Sequence, residues 1–108
     1  MATSKSSAWV EVSDDVDRVV LRVCGELDLA STATIEPIVH AAIDACAAIT
    51  LDLSALAFCD SSGIAMFLRA QQRATQEGVR LRLCAAQPAV VRVFEITGVQ
   101  HELPSTRS

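Results

Sequence analysis

Ile49-Thr-Leu-Asp-Leu-Ser-Ala-Leu-Ala-Phe-Cys-Asp-Ser-Ser-Gly63 joins two segments whose side chains have different periods. In the first segment Ile49, Leu51 and Leu53 alternate with polar residues, which is the period of a β-strand. After Asp60 the residues of one face recur three or four positions apart, as they do along a helix. These residues are Ile64, Phe67, Leu68 and Gln71. The sequence therefore predicts a strand, a short connection and a helix.

Asp60 is predicted to be the N-cap of this helix, because its carboxylate can accept from the backbone N–H groups of Ser62 or Gly63. Ser61 and Ser62 then fall in the first turn, beside unpaired N–H groups and the positive end of the helix dipole. Such a turn accommodates an added phosphate well. The same residues are also ordinary choices for a helix start. The pattern alone leaves both interpretations open and does not choose between the two serines.

The size and composition of the chain predict one globular domain, since 108 residues carry 51% hydrophobic and 20% charged residues. We expect a flexible leader over residues 1–7, the domain over 8–103 and a flexible tail over 104–108. No apolar run approaches the roughly 20 residues that cross a bilayer, and the N-terminus does not resemble a signal peptide. A cytoplasmic location without membrane insertion is expected. The net charge of −4 and the scattered basic residues argue against a nucleic-acid partner.

Four cysteines are present, but they include no Cys-x-x-Cys pair and both histidines are distant from them in sequence, so no metal site is expected. Cys24 and Cys84 lie in strand-like segments, where a reduced thiol behaves as a small hydrophobic group. Cys59 precedes the predicted helix start. A lowered thiol pKa and redox sensitivity are a hypothesis for this residue alone.

The N-terminal part predicts an antiparallel hairpin, with strands over Trp9–Ser13 and Arg18–Gly25 and a turn over Asp14–Asp17. Gly25-Glu-Leu-Asp28 closes the hairpin, and Gly25 permits a bend there.

A helix is predicted from Leu29 to Cys46, with Ser31 or Thr32 as its cap. Pro37 should kink it if Ser31 is the cap, and is tolerated if Thr34 is. The apolar stripe of this helix comprises Ile35, Ile38, Val39, Ala42 and Ile43.

In the C-terminal part the helix that follows Asp60 should run to about Glu77, with Gly78 as its left-handed C′ residue. A strand is predicted over Val79–Ala85, a helix from Pro88 to Gly98, and a short edge segment over Val99–Leu103. The helix is expected to carry Val90, Val91, Phe94 and Ile96.

The resulting fold class is α/β, with a mixed sheet of four to five strands, mostly parallel after the hairpin, and about three helices. Functional loops are expected at the carboxyl edge of the central strand.

No enzyme motif emerges. A nucleophile elbow needs glycine two residues before the serine, where Cys59 stands before Ser61. No glycine-rich phosphate loop is present. The carboxylates of Glu26 and Asp28 form the one acidic cluster near the functional edge, where solvation of a loop is the favoured interpretation. We therefore expect neither a catalytic role nor a cofactor.

Three segments together resemble the STAS-domain anti-sigma-factor antagonists of bacteria. They are Gly25-Glu-Leu-Asp28 after a hairpin, Asp60-Ser-Ser-Gly-Ile64 at a helix start, and Pro88-Ala-Val-Val-Arg-Val-Phe-Glu-Ile-Thr-Gly98. The resemblance extends from about Trp9 to Leu103 and implies the STAS fold. Two features differ from the family pattern. Members usually continue into a further C-terminal helix, and Pro37 interrupts the first helix.

The resemblance implies a phosphoprotein that acts by partner switching. Its unphosphorylated form would bind an anti-sigma factor that is also a serine kinase, freeing the sigma factor and so regulating transcription, as in stress responses. Phosphorylation of Ser61 would release the partner, and a protein-serine phosphatase would restore the first state. The residues implied in partner contact are Asp28, Asp60, Ser61, Ser62 and Gly63.

Two other functions compete with this one. A STAS subunit of a membrane lipid-transport complex would bind a permease or an ATPase subunit, but that class often lacks the Asp-Ser-Ser-Gly helix start. A ligand or nucleotide sensor would need a pocket signature that the sequence does not contain.

Overall fold

A computed structural model describes residues 8–14 and 18–101, which form five strands and three helices. The strands are β1 (Ala8–Asp14), β2 (Val19–Leu27), β3 (Ala48–Asp52), β4 (Leu56–Cys59) and β5 (Arg80–Cys84). The helices are α1 (Leu29–Ala45), α2 (Ser61–Glu77) and α3 (Pro88–Thr97). The expected leader over 1–7, the turn residues 15–17 and the chain after residue 101, including the expected tail, lie outside the described residues.

The sheet is mixed, as predicted, with strand order β1-β2-β3-β5. β1 and β2 form the antiparallel hairpin, whose register runs from Ala8 opposite Gly25 to Asp14 opposite Val19. Asp14, expected in the turn, is therefore the last residue of β1. β3 pairs in parallel with the first half of β2, and β4 pairs in parallel with its last residues. β5 closes the far side of the sheet beside β3.

One hydrophobic core lies between the helices and one face of the sheet. The alternating residues Ile49, Leu51 and Leu53 are at most 1% exposed, which confirms the predicted central strand. Phe67 of α2 meets Phe94 of α3 edge to face, with ring centroids 5.6 Å apart. Apolar residues from all three helices belong to this same cluster, so the opposite face of the sheet has no helix of the described chain packed on it.

The N-cap of α1 is Asp28, and the prediction of Ser31 or Thr32 was wrong. Asp28 Oδ1 accepts from the Ser31 backbone N–H at 2.9 Å, and Ser31 Oγ accepts from the Asp28 N–H at 2.9 Å. This reciprocal capping box makes Ser31 the third residue of the helix. Pro37 therefore lies about two turns inside α1, where it cannot donate to the Ala33 carbonyl, yet the helix is continuous to Ala45.

β4 was not predicted, and β2 continues to Leu27 where a closing loop was expected at Gly25. Gly25 and Glu26 are consecutive, but their partners in β4 are Leu56 and Phe58, so Ala57 is the extra residue of a β-bulge. The bulge turns both Leu56 and Cys59 toward the core and disrupts the alternation that marks a strand in a sequence. Gly25 has φ 92°, a conformation that favours glycine.

Several predicted boundaries and faces are confirmed, and others are wrong. Gly78 and Gly98 end their helices in the left-handed conformation, and Pro88 begins α3. The residues Ile38, Leu68 and Ile96, expected on apolar faces, are exposed, and Ile96 lies on the side of α3 opposite the buried Phe94. Val99 is buried, but residues 99–101 form no strand, which contradicts the predicted edge segment as far as the structure describes it.

Candidate functional site

Asp60 links β4 to α2 and caps the helix as predicted. Its Oδ1 atom accepts from the backbone N–H groups of Ser62 at 2.9 Å and Gly63 at 3.2 Å, and from the Ser62 hydroxyl at 2.5 Å. The hydroxyl of Ser62, followed by the two backbone donors, holds the pKa of the Asp60 carboxyl below its ordinary value of 3.8. Asp60 is therefore an anion at neutral pH and is committed to the helix cap.

The two neighbouring serines have different environments. Ser62 is half-buried and its hydroxyl is used in the cap. Ser61 is exposed, and within residues 8–14 and 18–101 its hydroxyl has no hydrogen-bond partner. The first turn of α2 thus presents one hydroxyl that is engaged and one that is available.

The start of α1 lies beside the start of α2. The Asp60 backbone N–H donates to the Leu27 carbonyl at 3.0 Å, which fixes the end of β4 against the end of β2. Asp28 follows Leu27 directly, and its charge is one of those that act on the Asp60 carboxyl. The structure therefore brings Asp28 and the segment 60–63 together at one edge of the sheet, the carboxyl edge of the parallel strands.

Gly63 allows the first turn of α2 to pack closely against Cys59 and Leu27. It is buried, and a β-carbon at this position would lie 2.6 Å from Cys59 Sγ and 3.0 Å from Leu27 Cβ. Both distances are shorter than van der Waals contact, so a larger residue would push the first turn of α2 away from the sheet. The role of Gly63 in the described chain is thus to seat the helix that carries Ser61.

Cys59 does not have the lowered pKa that its position in the sequence suggested. Burial, followed by the nearby Asp60 carboxylate, raises the pKa of the Cys59 thiol to about 12. The thiol points toward the core under Gly63 and is not exposed to the positive end of the helix. The hypothesis of a reactive Cys59 is wrong.

Two exposed apolar side chains near this site were not identified from the sequence. Leu29, next to Asp28, is 76% exposed, and Phe58, two residues before Asp60, is 52% exposed. Leu29 was assigned only to a helix start and Phe58 only to a connection. One feature of the sequence could have identified them, because each is an apolar residue within two positions of an N-cap. A helix begins at the protein surface there, so an apolar side chain beside the cap is exposed.

No group of three or more His, Cys, Asp or Glu side chains in residues 8–14 and 18–101 is arranged to hold a metal ion. None of the helices in that part of the chain is long and apolar enough to span a bilayer.

The profile of the STAS domain family matches residues 8–108, and the chain belongs to this family. It is 30% identical over 88 residues to an anti-sigma F factor antagonist of Paenibacillus polymyxa, a match that covers 80% of this chain and 75% of that protein.

Solved structures of anti-sigma factor antagonists are also similar to this chain. The crystal structure of an anti-sigma factor antagonist from Mycobacterium paratuberculosis matches with a TM-score of 0.81 and 26% identity, over 97% of this chain and 92% of that one. The anti-sigma factor antagonist SpoIIAA in its unphosphorylated form matches with a TM-score of 0.77 and 25% identity, over 91% and 90%. The predicted STAS fold and the predicted family are confirmed.

Proposed function

We propose that this chain is an anti-sigma factor antagonist whose binding is controlled by phosphorylation of Ser61. The observation that carries the proposal is the exposed Ser61 hydroxyl, which has no partner in the described chain, in the first turn of α2. Ser62 is less suitable because its hydroxyl donates to Asp60. The similarity to anti-sigma factor antagonists over most of the chain supports the same function.

The unphosphorylated site would form the contact with the partner. Asp28, Asp60 and the first turn of α2 provide polar groups at the sheet edge, and Leu29 and Phe58 provide exposed apolar area near them in sequence. We propose that the partner is an anti-sigma factor with serine kinase activity, and that this chain has no catalytic activity of its own. Binding would occupy the anti-sigma factor, free the sigma factor and so regulate transcription in the cytoplasm.

Phosphorylation would end this contact by electrostatics. The kinase would transfer the γ-phosphoryl group of ATP to Ser61 Oγ, releasing ADP and the hydroxyl proton. The new group adds about 1.5 to 2 negative charges. The α2 N-terminus can tolerate that charge, but a partner packed against Asp28 and Asp60 would face three neighbouring anions and a bulkier surface. A phosphatase of the protein-serine type would hydrolyse the ester and restore the hydroxyl.

The first experiment is incubation of the protein with ATP and the candidate kinases of its own organism, followed by intact mass and peptide mapping. One phosphate is expected on the wild type and on Ser62→Ala, and none on Ser61→Ala. Ser62→Ala is the matched control, because both serines lie on the same peptide. Phosphorylation of Ser61→Ala, with dissociation of the complex, would contradict the site assignment.

Binding is measured in parallel. Ser61→Ala should bind the kinase as tightly as the wild type and should not be released by ATP, and Ser61→Asp should bind at least about tenfold more weakly. If no kinase modifies or binds the protein, and a permease or ATPase subunit is recovered from membranes with it, the chain is instead a subunit of a transport complex.

A further inference from the structure

The face of the sheet that no described helix covers carries three arginines at its amino edge. The basic residues are scattered in the sequence, but strand register gathers Arg18, Arg80 and Arg82 around one solvent-open cleft of about 240 Å³. The cleft is also lined by Ala48, Ile49 and Thr50. We refer to this group as the arginine cleft.

The register explains why these residues share one face. Ala48 pairs with Arg80 and Thr50 pairs with Arg82 across β3 and β5. Val19 pairs with Ile49 on the other side of β3, so Arg18 lies beside Ala48. Neighbouring strands are about 4.8 Å apart. Two arginines therefore flank the small Ala48 side chain across about 10 Å, and the third follows two residues further along β5.

The charges on this face are unevenly distributed. Arg22, at the centre of the face, has both Glu11 and Asp52 within 3.6 Å. Among the residues that the structure describes, 8–14 and 18–101, no Asp or Glu lines the arginine cleft, and neither Arg18 nor Arg80 forms an ion pair. Like charges about 10 Å apart on one exposed sheet face repel each other weakly, because solvent and salt screen them. A bound anion would remove that repulsion.

We propose that the arginine cleft binds a phosphate-bearing anion of about the size of a diphosphate group. Arginine offers a planar fork of donors that matches phosphate oxygens, and several forks around one small residue suit a multiply charged group better than a single carboxylate. The side chain of Ala48 leaves the space for the anion, and the Thr50 hydroxyl adds a donor to the lining. A cleft of this volume holds many times the roughly 10–15 Å³ that one water needs.

The cleft is separate from the proposed phosphorylation site. It lies at the amino edge of β3 and β5, and Ser61 follows the carboxyl edge of β4, so a strand of five residues implies a separation of about 16 Å or more. A phosphate on Ser61 could not reach these arginines within one chain. The ligand is therefore a separate molecule, and the inference does not depend on the proposed function.

The test is titration of the ¹⁵N-labelled full chain with pyrophosphate, followed by NMR at constant ionic strength. We expect saturable shifts of the arginine Nε–H signals and the Thr50 amide, with a Kd on the order of 0.1–1 mM at low salt. Arg80→Gln and Arg82→Gln should each weaken binding by about tenfold. The matched control is Arg92→Gln, an exposed arginine on α3, which should change the Kd less than about twofold.

A second arm distinguishes a lipid phosphate from a free one. Vesicles of phosphatidylglycerol and phosphatidylcholine are added to the wild type and to Arg80→Gln, and sedimentation is measured. Vesicle binding that Arg80→Gln weakens identifies a lipid headgroup as a source of the anion, and pyrophosphate binding without vesicle binding identifies a free phosphate compound. The proposal is overturned if neither ligand binds, or if binding is the same in the wild type, Arg80→Gln and Arg92→Gln.

Discussion

Gly63 lies so close to Cys59 that a β-carbon at position 63 would come within 2.6 Å of the Cys59 Sγ atom. The two residues stand on opposite sides of the Asp60 cap, and their contact sets how deeply α2 sits on the sheet. The exposed Ser61 is presented from this turn. Packing inside the core and access at the surface are therefore linked through one glycine.

Replacement of Gly63 by alanine should lower the free energy of unfolding by about 1–3 kcal/mol, because the added methyl group meets Cys59 and Leu27 without space to move. Urea unfolding monitored by circular dichroism measures the change. The double variant with Cys59→Ala removes the nearest atom, and a double-mutant cycle should show a favourable coupling. Strict additivity of the two substitutions would contradict the contact.

The two serines should respond differently to alanine. Ser62→Ala removes a hydrogen bond to a carboxylate and should cost about 0.5–1.5 kcal/mol relative to Ser61→Ala. Alanine has the higher helix propensity at both positions, so the comparison isolates that hydrogen bond. Chemical denaturation of both variants at neutral pH provides the test. Equal stabilities would show that the Ser62 hydroxyl does not support the cap.

An ion-pair network joins α1 to α2. Glu36 accepts from Arg69 at 2.8 and 2.7 Å and lies 3.1 Å from His40 Nε2, and the hydrogen bond from Arg69 is the main cause of the lowered pKa of Glu36. A carboxyl whose pKa is lowered on folding stabilises the protein above its unfolded pKa and loses that contribution as the pH falls through the folded pKa.

Glu36→Gln should therefore reduce the loss of stability below pH 4.5, the ordinary pKa of this group, and should cost up to about 1 kcal/mol at neutral pH. Unfolding free energies measured across the acid range test both effects. Glu95→Gln is the control, because Glu95 is exposed and forms no ion pair in residues 8–14 and 18–101. An identical acid profile for wild type and Glu36→Gln would contradict the role of the network.

The four thiols should react with iodoacetamide in the order of their exposure. Cys46 and Cys84 are partly exposed, whereas Cys24 and Cys59 are buried and burial raises the pKa of both thiols. Peptide mass mapping over time at pH 8 should show Cys46 and Cys84 modified first, with all four equal in denaturant. Early modification of Cys59 in the native protein would contradict its position under Gly63.

Local features were predictable from the sequence because each depends on a few adjacent residues. Three kinds of helix boundary are determined by residues within one turn of the boundary itself. They are the Asp60 cap, the glycines that end α2 and α3, and Pro88 at the start of α3. The alternation of the apolar residues Ile49, Leu51 and Leu53 with polar residues likewise predicts which side chains of the strand are buried. These features indicated the fold class and placed both Ser61 and Ser62 in the first turn of a helix, and only the family resemblance pointed to Ser61.

Features that depend on a choice between equivalent residues, or on distant ones, were not predictable. Asp28, Ser31 and Thr32 are all good caps, and only the structure makes Asp28 the cap and Ser31 its reciprocal partner. The arginine cleft needs the register of β3 against β5, which joins residues far apart in sequence. The exposure of Phe58 depends on the bulge at Ala57, which removes the period that would have marked β4.

The bulge at Ala57 also determines which length changes this strand can accept. A chain shorter by Ala57 would be a regular strand, with Leu56 and Cys59 still directed inward and Asp60 still beginning α2 in the same orientation. A chain longer by one residue could not form a regular strand by losing the bulge. The insertion would reverse the side-chain alternation before Asp60, and the cap and both serines would then face the wrong side of the sheet. Between Leu56 and Asp60, therefore, this protein should tolerate a deletion where it does not tolerate an insertion.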